Sequence, residues 1–171
     1  MEESTTEAIA AFAGVAGVAV NAIAIFFVVA QIRLLRKQLE HGRTTYKDER
    51  ARARKLATLE FLSATLEQRL TFLKEIPSPK DAEGTAKFIH QSHSQPAVKS
   101  LIFSFLNYNE YLATGANQRI LDFAVIKAAM GTTLCKTFDA YSGFIEDLRR
   151  KEKHPALYKE LQTLTDDLRK K

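Results

Sequence analysis

The chain opens on a long stretch without charge. From Ala8 to Ile32 (AIAAFAGVAGVAVNAIAIFFVVAQI) there is no Asp, Glu, Lys or Arg, and about 20 apolar residues suffice to cross the hydrocarbon core of a bilayer. A buried helix of a water-soluble domain usually stops short of this length, so the segment predicts one transmembrane helix. Behind it the apolar positions become periodic. Leu56, Leu59, Leu62, Leu66, Leu70, Leu73 and Ile76 recur at helical spacing, which predicts a long helix with one apolar face, ended by Pro77 and Pro79. Gly42 is the expected joint between membrane and domain. Lys80 to Gln95 is polar and weakly periodic and reads as a loop or a short helix.

Pro96 suits a first helical turn. Val98, Leu101, Ile102, Phe105 and Leu112 give that helix an apolar face, and Gly115 is expected to supply its left-handed stop. Asp122 is placed to cap a helix whose inward face is Phe123, Ile126, Met130, Leu134, Phe138 and Tyr141. After Pro155, Leu157, Leu161, Leu164 and Leu168 mark a last helix. The expected fold class is all-α: an N-terminal single transmembrane helix (1–33), a basic juxtamembrane linker helix (34–55) and a cytosolic helical-bundle domain (56–171).

Charge gives the anchor a direction. Between Arg33 and Lys55 nine Lys or Arg stand against Glu40, Asp48 and Glu49, a local net of +6 in a chain whose total is +5. No basic side chain precedes the span, and its leader carries Glu2, Glu3 and Glu7. Lys and Arg stay on the cytoplasmic side, so the C-terminal domain is expected in the cytosol and the N-terminus outside. The acidic leader also argues against a cleaved signal peptide. The first part of the basic run serves lipid contact. Arg50, Arg52, Arg54 and Lys55 lie too far along the helix to need lipid and are candidates for an anionic ligand. Inside the span, Gly14, Gly17 and Asn21 share one helical stripe with Ala10 and Ala24, which predicts close contact with a second copy.

Motifs for chemistry are sparse. There is no phosphate-binding loop, dinucleotide fingerprint, paired cysteine or HExxH, so neither enzymatic activity nor a cofactor is expected. His90 and His93 could share a helical face, but zinc wants three or four ligands, so no metal is expected. The lone Cys135 excludes a disulfide framework within the chain. Arg36 with His41, and Arg149 with His154, fit the R-x4-H spacing of small helical ribonucleases, a permissive pattern that leaves catalysis as an alternative.

The segment LNYNEYLATGANQRILD (Leu106 to Asp122) is similar to one shared by a wider set of bacterial single-span proteins. The layout of anchor, basic helix and helical domain resembles the membrane-bound ancillary effectors of type III CRISPR antiviral systems, which are activated by cyclic tetra-adenylate. The resemblance implies a homotetramer in the bacterial inner membrane, a cyclic oligoadenylate bound on the cytosolic side, no DNA partner, and perturbation or permeabilisation of membrane lipids on binding. On that expectation Arg50, Arg52, Arg54 and Lys55 contact phosphates, while His90, Gln91, His93 and Ser94 offer polar groups to adenine or ribose. Asn107, Asn109 and Tyr111 are second choices. The competing function is a constitutive membrane-tethered interaction module without a nucleotide ligand.

Overall fold

The computed structural model describes the backbone of residues 2–170 and the side chains of residues 26–170. Six helices follow one another: α1 (Glu2–Ala64), α2 (Leu66–Glu75), α3 (Ala82–Gln91), α4 (Pro96–Asn117), α5 (Phe123–Lys151) and α6 (Lys159–Arg169). No strand occurs among the described residues, so the chain is all-α. It divides into two compact units, residues 1–49 and 50–171.

The first unit is helix throughout its described length. Its side chains from Phe26 to Val29, with Ile32, Leu34, Leu35 and Leu39, are exposed although apolar. Among the described residues no helix is long and apolar enough to cross a membrane. The span expected over Ala8 to Ile32 falls mostly on side chains outside the described residues, as do Gly14, Gly17 and Asn21. Gly42 does not interrupt α1. A glycine inside a helix costs about 1 kcal/mol relative to alanine, which the intact ladder on both sides absorbs. Thr44 and Thr45 turn their hydroxyls back onto the His41 carbonyl, at 2.8 and 3.0 Å.

In the second unit α4 packs against α5 and α6, α5 against α6, and α3 against α4 and α5. Two adjoining cores result. One gathers Leu62, Leu112, Leu121, Ile126, Leu134, Leu161 and Leu164. The other gathers Phe72, Ile76, Ile102, Leu106, Tyr108, Tyr141, Ile145 and Tyr158, and Phe61, Met130 and Phe138 border both. Full burial of one such side chain contributes about 1.5–3 kcal/mol, so both cores depend on a few large residues. The expected inward face of α5 is the observed one: Ile126, Leu134 and Tyr141 are fully buried.

Local chemistry starts the helices where the sequence predicts. Asp122 Oδ1 accepts from the backbone N–H of Ala124 (3.0 Å) and Val125 (3.1 Å), and Pro96 opens α4. The stretch after Lys80 becomes helix α3 because Asp81 caps it, accepting from Gly84 N–H at 2.9 Å. Gly115 does not stop α4, which runs on to Asn117, and the left-handed residue is Arg119 at φ 58°. Glycine is needed at 115 for space, since a Cβ there would meet Leu121 Cδ1 at 2.7 Å. The last helix starts at Lys159, after Tyr158 has taken φ 56°, so Leu157 precedes it.

The largest departure concerns the leucine stripe. Leu62 and Ile76 are buried, but Leu56, Leu59, Leu66, Leu70 and Leu73 are exposed. The inward face runs instead through Thr58, Leu62, Thr65, Arg69, Phe72 and Ile76. This face lies one residue away, a rotation of about 100°. Aromatic packing favours it: Phe61 stacks on Tyr108 at 6.0 Å, and Phe72 meets Phe105 at 5.3 Å and Tyr108 at 5.8 Å.

Candidate functional site

The rotation of α2 turns a cation inward. Arg69 lies on the same helical face as Phe72 and Ile76 and reaches a cavity of about 350 Å³ in the second unit. Phe72 of α2, Ile76 just after it, Phe105 and Tyr108 of α4, and Met130 of α5 form its apolar wall, closed on one side by the Pro77 to Pro79 turn. Lys80 and Lys136 stand at it too, and no carboxylate lines it. Cavities of this size that combine an apolar wall with a few convergent polar groups suit small-molecule binding.

Among the described residues the Arg69 guanidinium makes one hydrogen bond. Its Nη2 donates to the Leu62 carbonyl at 2.7 Å, and its Nε is buried without an acceptor. It has no ion pair among the described residues, and neither do Lys80 and Lys136. A guanidinium offers a planar fork that matches phosphate or carboxylate. Beside it, burial pushes the Tyr108 hydroxyl above its ordinary pKa, against the opposing pull of its Thr65 hydrogen bond and of the Arg69 charge. Tyr108 therefore stays neutral at physiological pH, with Thr65 Oγ1 3.4 Å from its oxygen. Cation, phenol and aromatic wall together can hold an anion that carries a flat apolar part.

The residues singled out from sequence lie elsewhere. Arg50, Arg52 and Lys55 are exposed on α1 and Arg54 is half-buried, close to the first core, where Thr58 Oγ1 accepts from Asp122 N–H at 2.7 Å. His90 and Gln91 end α3, whose Phe88 and Ile89 border the second core, and His93 and Ser94 lie in the turn just after it. The two groups thus flank different cores. The His90 and His93 rings meet edge to face, 6.3 Å apart, on exposed side chains. No cluster of three potential metal ligands occurs among the described residues. Arg149 is held by two neighbours: Nε donates to Leu157 O (2.8 Å) and Nη2 to Gln162 Oε1 (3.1 Å). That guanidinium fastens the turn before α6, while His154 is exposed.

The segment from Leu106 to Asp122 is occupied in building the fold. Leu106, Tyr108, Asn109, Leu112, Ala113, Ala116 and Leu121 are buried. Glu110 accepts from the N–H groups of Glu160 (3.1 Å) and Leu161 (2.7 Å), satisfying the open end of α6. Asn117 Nδ2 donates to Glu160 Oε2 at 2.7 Å, and Asn107 Oδ1 accepts from Tyr158 at 3.1 Å. Asn109 turns its amide onto Phe105 O at 2.7 Å, and Tyr111 is exposed. Sequence reasoning missed Arg69 because it sought runs of basic residues. The available signal was one arginine at i−3 and i−7 from Phe72 and Ile76, on a helix whose leucines face elsewhere.

No curated protein and no solved structure matches the chain. Residues 11–168, nearly its whole length, match the family described as Domain of unknown function (DUF4760). The chain belongs to the DUF4760 family.

Proposed function

We propose that the chain is a membrane-tethered, non-enzymatic sensor, in which the second unit binds an anionic, nucleotide-like ligand and the first holds it at a bilayer. One observation carries the reading: the cavity brings Arg69, Lys80 and Lys136 to an aromatic wall without a single carboxylate. The tether is supported by the uncharged run from Ala8 to Ile32 and by the exposed apolar side chains from Phe26 to Val29. Cyclic tetra-adenylate is the proposed ligand, following the resemblance in layout to CRISPR ancillary effectors. A cavity of about 350 Å³ suits one nucleotide, so four chains would share the cyclic molecule by symmetry. Binding would then perturb the membrane.

The energy scale is sufficient. Moving a two-state equilibrium from 1:99 to 99:1 takes about 5.5 kcal/mol of differential affinity, and each charge-assisted hydrogen bond contributes about 1.5–3 kcal/mol. Calorimetry of the full chain in detergent micelles tests the reading. Wild type is expected to bind cyclic tetra-adenylate, and Arg69→Ala to weaken binding about tenfold or more. Absence of binding to wild type overturns this ligand. Loss confined to Arg52→Ala or His90→Ala moves the site to the residues first expected from sequence.

A second reading, a constitutive interaction module, is favoured by the uncovered stripe of Leu56, Leu59, Leu66, Leu70 and Leu73. Replacing residues 8–32 by an unrelated single span separates the two. A gated effector loses its ligand-dependent leakage, whereas a module keeps its function.

A further inference from the structure

Two side chains that line the cavity, Arg69 and Tyr108, also reach the joint between α1 and α2. Thr65 alone separates the two helices, at φ −98° and ψ 11°. Thr65 N–H still bonds Phe61 O (3.1 Å) and Arg69 N–H bonds Thr65 O (3.0 Å). Between them the α-helical ladder is interrupted at Thr65, so the bond from Leu66 N–H to Leu62 O that would carry α1 into α2 is not made. In an unbroken helix these two groups would bond each other. Arg69 Nη2 occupies Leu62 O instead, at 2.7 Å. Thr65 Oγ1 donates to Phe61 O at 2.8 Å and lies 3.4 Å from the Tyr108 hydroxyl.

We propose that Arg69 is a ligand-responsive latch: an anion with a flat apolar part enters the cavity, draws the guanidinium off Leu62 O, and lets Leu62 O accept from Leu66 N–H. This rests on reading the cavity as an anion sensor, and it names how that site acts. The chemistry of the competition favours the anion. Leu62 O is one neutral acceptor, whereas a phosphate or carboxylate carries charge and can take two N–H groups of the fork. The buried Nε, which lacks an acceptor, becomes satisfied in the bound state. Phe72, Phe105 and Tyr108 receive the flat part. Occupancy and helix continuity then exclude each other's alternatives: a filled cavity goes with a joined α1–α2, an empty one with the break at Thr65.

Hydrogen exchange read by mass spectrometry on the full chain in detergent tests the latch, with adenosine monophosphate as the probe. With the probe bound, the amides of residues 66–68 are expected to exchange about tenfold more slowly. Arg69→Gln, which frees Leu62 O without any ligand, is expected to slow the same amides in its absence. Probe binding with unchanged exchange at 66–68 overturns the latch and leaves the sensor reading standing. Unchanged exchange in a helical Arg69→Gln chain overturns it as well. Failure of the probe to bind wild type overturns the anion-sensor reading, and the ligand-driven latch falls with it.

Discussion

Two single residues show how this fold handles buried polar groups. Glu110 is half-buried, and burial raises its pKa above the ordinary glutamate value, more than the N–H groups of Leu161 and Glu160 lower it. A carboxyl raised in the folded chain binds its proton more tightly there than in the unfolded chain. The stability this contributes is full below the unfolded pKa and is lost as pH rises through the folded one. Glu110→Gln cannot titrate, so its stability relative to wild type is expected to improve between about pH 4 and pH 7. Urea unfolding at both values checks this, and a constant gap would count against it. Tyr141 is the simpler case. Its ring is fully buried, its hydroxyl has no hydrogen-bond partner among the described residues, and burial alone pushes its pKa to about 12. Tyr141→Phe keeps the ring contact with Phe105, 5.8 Å away, and removes an unsatisfied group. It is expected to stabilise the chain by about 1 kcal/mol.

At the scale of elements, the rotation of α2 makes a sharp test. Phe72 is buried and its neighbour Leu73 is 76% exposed, so one residue of sequence separates core from surface. Phe72→Ala is expected to cost about 3–5 kcal/mol, and Leu73→Ala to stay within about 0.5 kcal/mol. Equal losses would restore the leucine face to the core. The same pair shows what the sequence made legible. The starts of α4 at Pro96 and of α5 after Asp122 follow from local chemistry, which acts between neighbours, and α5 was readable because its large apolar residues mostly share one face. On α1 and α2 two apolar stripes compete, and hydrophobicity alone favours the leucines. The aromatic contacts of Phe61 and Phe72 with Tyr108 decide between them, over some 40 residues of chain. Arg69 was hidden for the same reason, because a lone arginine becomes a site only when the facing helix is known. Gly115 was misread through its usual conformational role, when its need for space came from Leu121, six residues on.

At the scale of the whole molecule, charge and packing are divided along the chain. Both cores are made from residues of the second unit, 50–171, and every helix-to-helix packing described above falls within it. The proposed tether, in contrast, depends wholly on the uncharged run and on the basic residues from Arg33 to Lys47 that would meet anionic headgroups, each contributing about 1 kcal/mol near such a surface. Removing residues 1–49 should therefore separate the two properties. The full chain is expected to sediment with membranes and to stay there in alkaline carbonate, which strips proteins held by charge alone. The shortened chain is expected in the supernatant, with a helical circular dichroism spectrum and a single cooperative unfolding transition. A full chain released by carbonate would reduce the tether to its basic run, held by electrostatics and sensitive to salt. A shortened chain that unfolds without cooperativity would mean that the long α1 supports the cores through more than Thr58, Phe61 and Leu62.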